Sequence, residues 1–310
     1  MEYRELGKTG MKVSALSFGA SSLGGGIFRH VEESEALRTV ATALDSGINF
    51  IDVSPFYGLT RAETVLGKGL RGVDRGRYYL ATKVGRYGDT EFDFSASRVL
   101  ASVDESLTRL GVEYVDIIQA HDIEYSDLKQ VIEETIPALR RVQEAGKAKF
   151  IGVTGYPLAI FQSVLNHANV DTILSYNHYS LNDTTLLGLL PFIKENGAGV
   201  INASPLSQGL LTIRGTPAWH PAPAEVQRVC MKAAVYCKEE GSDLAKLAVQ
   251  FSTRNPEITT TLVGTADPCN LRRNLDWIEE PFNEALAAEV QQILSPIQDQ
   301  TWVVGRPENN

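Results

Sequence analysis

Short runs rich in apolar and β-branched residues alternate with longer segments whose apolar residues recur at helical spacing, almost from end to end. Val13 to Ala20 (VSALSFGA) predicts a buried strand, and Glu32 to Ser46 follows with Leu37, Val40, Ala41 and Leu44 on one helical face. The unit repeats as strand Ile48 to Val53 with helix Glu63 to Leu70, strand Tyr78 to Val84 with helix Ser95 to Leu110, and strand Tyr114 to Ala120 with helix Leu128 to Ala145. Four more follow: Lys149 to Val153 with Leu158 to His167, Ile173 to Tyr179 with Thr185 to Glu195, Ala198 to Ala203 with Ala224 to Glu239, and Thr259 to Gly264 with Asn270 to Ile278.

Strands that are apolar on both faces belong in parallel sheets covered by helices. Eight such units predict an α/β fold closed into a (β/α)8 TIM barrel. Asp243 to Thr253 and Asn283 to Leu294 exceed the count and are expected outside the repeat. No linker-like stretch divides the 310 residues, so residues 1 to 310 read as one domain. The competing reading is an open dinucleotide-binding sheet, for which Asp52 at the end of the second strand would suit a ribose. Against it, the glycine run GASSLGGG (Gly19 to Gly26) lacks GxGxxG spacing, and the βα rhythm continues unchanged past residue 150.

Charge narrows the partner. The net charge is −9, with 29 Lys and Arg interspersed among 38 Asp and Glu. No basic run offers the phosphate-neutralising face that nucleic acid needs, so the expected partner is a small molecule. No apolar run approaches about 18 residues, and the polar N-terminus has no signal-peptide core; a cytoplasmic protein without a membrane span is expected. Cys230, Cys237 and Cys269 match no metal-ligand spacing and read as reduced thiols, with no metal site. The sequence sets no oligomeric state.

In a barrel, residues at the carboxyl ends of the strands converge on one pocket. Asp52 closes the second strand, Tyr57 lies just beyond, Lys83 ends the third and His121 follows the fourth. Each alone has a bland explanation as a cap, turn or packing residue. Lys83 is the odd one, because an ammonium inside LATKV must find an anion, and Asp52 on the adjacent strand supplies one. A phenol with a pKa near 10 becomes a usable proton donor or acceptor when a cation favours its phenolate. Lys83 is expected to do that for Tyr57, and His121 to orient a substrate oxygen.

The segments FIDVSPFYG, ATKVG and QAHD, each after the expected strand, resemble the Asp, Tyr, Lys and His tetrad of the aldo-keto reductase superfamily, and the likeness runs from KVSALSFGA to Asn274. It implies hydride transfer between a nicotinamide cofactor and a carbonyl, with Tyr57 as general acid/base, Lys83 and Asp52 as its tuning pair and His121 as orienter. It further implies cofactor contacts at Gly19, Asp52, Thr154 and Tyr176, and a pyrophosphate strap at Ser204, Pro205, Leu206, Ser207 and Gly209. Gly155 replaces the Asn that usually follows the residue at Thr154, and SYNHYS lacks the usual Gln, leaving Ser175, Tyr176 or Asn177 in its place. An adenosine clamp is implied at Gly264, Thr265, Asp267, Asn270, Arg273 and Asn274. Gly264 and Asn270 stand where NADP-preferring members carry cations, which points to NAD as cofactor unless Arg272 or Arg273 takes the phosphate.

An NAD preference suggests the oxidative direction, and the likeness of the whole chain, rather than of the tetrad or the cofactor loop, implies an aldose as substrate, L-galactose first, oxidised at C1. Asp122, Tyr125, Asn202 and Trp302, beside Tyr57 and His121, are candidate sugar contacts; Trp219, His220 and Trp302 could stack on a sugar face. The alternatives are another NAD(P)-linked aldose or aldehyde oxidoreductase, with L-fucose or D-arabinose as substrate for example, or a barrel that serves as a non-catalytic subunit.

Overall fold

Eight short parallel strands close on themselves in the computed structural model, which describes residues 1–25 and 31–310. Gly26, the last glycine of the run after the first strand, lies outside the described residues. The hairpin β1 (Tyr3–Glu5) and β2 (Lys12–Ser14) comes first. The barrel is β3 (Leu16–Gly19), β4 (Phe50–Asp52), β5 (Tyr79–Val84), β6 (Val115–Ala120), β7 (Ala148–Gly155), β8 (Thr172–Tyr176), β9 (Gly199–Ala203) and β10 (Thr260–Gly264), with β10 pairing back onto β3. Between β3 and β9 come α1 (Glu33–Asp45), α2 (Arg61–Leu70), α3 (Ala96–Leu110), α4 (Leu128–Gln130), α5 (Ile136–Glu144), α6 (Leu158–His167) and α7 (Leu186–Glu195). Helices α8 (Ala224–Glu239) and α9 (Leu244–Arg254) precede β10, and α10 (Pro268–Glu279) and α11 (Glu284–Leu294) follow it.

Alternation along each strand sorts residues into two cores. Phe18, Ile51, Leu80, Ile118, Ile151, Ile173 and Val200 face the helices in the larger cluster. Phe50, Ala81, Ile117, Leu174, Ile201 and Leu262 fill the barrel's floor together with Leu6, Met11 and Val13 from the hairpin. Gly7, at φ 53, lets the hairpin turn lie against Gly199, where a Cβ would come within 2.4 Å of the backbone. Moving two residues up each strand from this floor reaches Asp52, Lys83, Gln119, Tyr176, Ala203 and Gly264. The barrel is therefore apolar below and, from β4 to β8, polar at its mouth.

Three expectations change. The first strand is split: Val13 belongs to the hairpin floor and only Leu16–Gly19 joins the barrel. The segment from 128 to 144 is interrupted by a π turn, Val131–Thr135. The largest correction concerns the helices around residue 240. Helix α9, expected outside the repeat, packs on α10 and β10 and so takes the ring position after β9. Helix α8 instead lies outside and packs on α11. Its Val226, Val229, Cys230 and Ala233 join Leu286, Val290 and Leu294 in a separate apolar cluster. Cys230 and Cys237 are buried free thiols there, pushed up by burial to about 12 and about 11, and thus unreactive near neutrality. Cys269 is free and exposed.

Candidate active site

Inward-facing residues from β4, β5 and β6 meet at the barrel mouth. Lys83 is 1% exposed and its ammonium donates to Asp52 Oδ1 and to the carbonyl of Val53, the latter at 2.9 Å. It also reaches the hydroxyl of half-buried Tyr57 at 3.4 Å, a long contact of the kind that tightens when substrate arrives. The other carboxylate oxygen of Asp52 accepts from Gln119 Nε2 at 2.9 Å. Gln119, which no sequence motif marks, stands on the inner face of β6, two residues before His121. These contacts meet the cost of burying both charges. Despite desolvation, Asp52 and Tyr57 hold the Lys83 ammonium above the usual lysine range.

The expected tuning of Tyr57 needs a correction. Burial pushes the phenol's pKa up, and the opposing effect of Lys83 does not overcome it. Tyr57 is therefore a phenol near neutrality. Since its oxygen faces the Lys83 ammonium, its own proton can be donated to another acceptor.

His121 packs edge-on to Tyr57, with ring centroids 5.6 Å apart. Its Nδ1 lies 2.9 Å from Ser54 Oγ, which accepts the Phe56 N–H at 3.1 Å. Its Nε2 lies 3.6 Å from Asp122 Oδ2. A proton on Nε2 faces that carboxylate favourably, with the Ser54 hydroxyl donating to Nδ1. Burial lowers the pKa of His121 to about 3, so the ring is a neutral donor across the working range. Arg86, also unforeseen, donates to Asp122 Oδ2 at 2.5 Å.

The other predicted residues divide. Thr154 accepts from the Asp122 N–H at 2.9 Å, so its hydroxyl is engaged beside the tetrad. Tyr176 donates to Glu124 Oε1 at 3.2 Å. Glu124 is fully buried, and burial beside Asp122 pushes its carboxyl well above the ordinary carboxylate range. Gly155 has a local reason: a Cβ there would stand 2.6 Å from Glu124 Oε2 and 2.3 Å from Ile160. Tyr125 stacks on Phe92 with centroids 4.6 Å apart, and Trp302 on Tyr156 at 5.5 Å. Trp219 is exposed, whereas His220 is buried and uses Nε2 on the Ser207 carbonyl at 3.2 Å.

Asn202 is a correction. It sits on the outer face of β9, where Nδ2 donates to the Tyr179 carbonyl at 3.0 Å, away from the mouth. The strap is also built differently from expectation. The Ser207 hydroxyl points inward to Asn182 Oδ1 at 2.8 Å. The N–H groups of Ser207 and Gly209 close turns onto Ser204 and Leu206, so neither is available for a phosphate. Ser204, Ser207 and Gln208 all take left-handed backbone, at φ 60, 45 and 54, making an unusually tight loop around buried Pro205 and half-buried Leu206.

Beside this loop the rim is bare. Ala203, Gly264 and Gly19 end three adjacent strands, and Gly264 and Gly19 are register partners. A Cβ on Gly264 would come 3.2 Å from Ser21 Oγ. Beyond the rim, Thr265 Oγ1 accepts the Asp267 N–H at 3.1 Å, and Asp267 Oδ1 caps α10 by accepting from Cys269 N at 2.8 Å and Asn270 N at 3.4 Å. Asn270 and Arg273 are exposed and Asn274 is buried. Among the described residues no three His, Cys, Asp or Glu side chains cluster as a metal site, and no helix is long and apolar enough to cross a membrane.

The Aldo/keto reductase family model matches residues 15–295. The chain belongs to this family. Among aldo/keto reductase relatives, it is 48% identical to L-galactose dehydrogenase of Arabidopsis thaliana, over 100% of this chain and 99% of that protein. It is 32% identical to D-arabinose 1-dehydrogenase of Saccharomyces cerevisiae, over 74% and 73% of the two chains. A holo-form aldo-keto reductase structure from Bacillus halodurans superposes with a TM-score of 0.78 at 26% identity, covering 97% of this chain and 98% of that one. The protein is thus an oxidoreductase of the family and a homologue of aldose dehydrogenases.

Proposed function

We propose that this protein oxidises L-galactose at C1 with NAD, giving L-galactono-1,4-lactone, a step of ascorbate synthesis. The observation that carries the reading is full-length identity of 48% to an L-galactose dehydrogenase. The compact Asp52, Lys83, Tyr57 and His121 cluster supports it.

The barrel mouth fits a nicotinamide nucleotide. The bare rim of Ala203, Gly264 and Gly19 leaves the space that side chains fill elsewhere, and the tight loop from Ser204 to Gly209 borders it. We assign the reacting end to the side of Asp52, Thr154 and Tyr176, and the adenosine end to Thr265, Asp267, Asn270, Arg273 and Asn274. Gly264 and Asn270 bring no cation to a 2′-phosphate, and the Asp267 carboxylate already occupies the start of α10. Those features favour NAD over NADP.

When bound, the nicotinamide supplies the hydride acceptor. His121 donates from Nε2 to the anomeric oxygen and fixes its position. Tyr57, in its phenolate form, takes the anomeric hydroxyl proton as the C1–H bond breaks. Lys83 stabilises that phenolate, and Asp52 with Gln119 holds Lys83 in place. Because the sugar ring is already closed, the product is a lactone: the 1,4-lactone directly from the furanose, or from the pyranose by way of the 1,5-lactone, whose acyl group then moves from O5 to O4. In the reverse direction Tyr57 gives its proton to the developing alkoxide.

A panel of aldoses offered with NAD and with NADP tests the reading through formation of reduced cofactor. Turnover of L-galactose with NAD well above that with NADP is expected. Faster turnover with NADP would overturn the cofactor assignment, and no turnover of L-galactose would overturn the substrate.

A further inference from the structure

A second charged pair borders the reaction centre. Asp122 directly follows His121, and its backbone stands at φ 50, a region that residues with side chains rarely enter. Its Oδ2 lies 3.6 Å from His121 Nε2 and 2.5 Å from Arg86 Nη1. Its Oδ1 accepts from the Thr154 hydroxyl at 3.4 Å. Arg86 is boxed by aromatic rings, with its guanidinium 3.8 Å from the Phe56 centroid, 5.2 Å from Tyr125 and 5.4 Å from Phe92.

A carboxylate accepts hydrogen bonds through two oxygens with about four lone-pair directions. Arg86 and Thr154 use only part of that capacity. The box fixes Arg86, and Arg86 fixes the carboxylate. The result is an anchored acceptor next to the atom that holds the reacting oxygen. Oxygens on neighbouring carbons can span the gap between His121 Nε2 and Asp122 Oδ2. Resting on the reading above, we propose that Asp122, held by Arg86, accepts the hydroxyl on the carbon adjacent to the reacting one. The site thereby selects α-hydroxy carbonyl compounds and their hemiacetals over simple aldehydes. A simple aldehyde would shut the carboxylate away from water with its acceptor capacity unused, and such unpaired buried groups discriminate strongly.

The test compares NADH-dependent reduction of glyceraldehyde and of propanal, which differ in hydroxylation. For the wild type, kcat/KM should favour glyceraldehyde by about 100-fold or more. Asp122→Asn should lower that preference by about tenfold or more, because glyceraldehyde loses its acceptor in addition to whatever change His121 passes on to both aldehydes. Arg86→Lys keeps a charge but loses the planar fork, and should lower the preference by a smaller factor. NADH binding, followed by quenching of protein fluorescence, reports whether each variant is folded. A wild type that reduces both aldehydes equally well overturns the proposal. So does an equal fall on both aldehydes in either variant, which would mean that the pair acts only through His121 or through folding. An enzyme that shows the predicted ratios but leaves L-galactose untouched would refute the aldose assignment and support this one.

Discussion

The barrel mouth has two unlike arcs. From β4 to β8 the inward positions carry Asp52, Lys83, Gln119, Thr154 and Tyr176, with His121 just above, and these groups have partners on the protein itself. From β9 through β10 to β3 the corresponding positions are Ala203, Gly264 and Gly19, which offer no functional group. On the function proposed above, the first arc holds and moves a proton and the second leaves room for a ligand. Chemistry and binding are thus divided around one ring of strands, so substitutions on the two arcs should fail in different ways.

The sharpest separation comes from Tyr57→Phe. It should lower kcat/KM by about 10²- to 10⁴-fold while leaving NADH affinity within about threefold. Steady-state kinetics beside fluorescence titration checks this, and a large loss of NADH affinity would blur the two arcs.

The pH profile should show the same division. With the Tyr57 pKa raised by burial, the phenolate is scarce near neutrality. Oxidation should therefore climb by about tenfold per pH unit on the alkaline side until Tyr57 ionises, while reduction favours the phenol. With His121 lowered to about 3, no acidic limb should appear near its ordinary 6.5. Stability should show one instead. Below about 6.5 the unfolded imidazole takes up a proton that native His121 refuses, so unfolding becomes easier as pH falls towards about 3. Denaturant titrations of the wild type and His121→Asn should diverge over that range. Parallel curves would contradict the assignment.

Gln119→Leu removes the donor to Asp52 Oδ2 and should cost about 1–3 kcal/mol of stability, read from denaturant midpoints. Gly264→Val, on the bare arc, should have the smallest effect on the reaction. It should weaken NADH binding by about tenfold, roughly 1.4 kcal/mol, and leave kcat within about threefold. A fall in kcat without a change in affinity would show that this rim belongs to the chemistry.

Much of this was legible in the sequence. Lys83 betrays itself because no ammonium belongs in an apolar strand without an anion, and Asp52 ends the neighbouring strand. Gln119 gives no such signal, because a lone amide at the end of VDIIQA carries no such cost. The side of Asn202 is hidden for the reason that makes the fold readable: in AGVINA both faces are apolar, so alternation does not reveal which side faces the barrel. Helices α8 and α9 are indistinguishable in the sequence because both are amphipathic, and only packing decides which one covers the sheet. The raised pKa of the Tyr57 phenol is not legible in the sequence, because its burial depends on residues far apart in the chain, whereas its cation is visible. Asp122 stands out in the sequence as a candidate sugar contact, but its pairing with Arg86 shows only when the loops after β5 and β6 are side by side.

The most direct test of the account is to supply L-galactose carrying deuterium at C1, together with NAD, and to analyse the reduced cofactor by mass spectrometry. The account predicts NADH bearing one deuterium, together with the lactone. NADH formed without deuterium would contradict oxidation at C1, and no NADH at all would contradict the proposed activity.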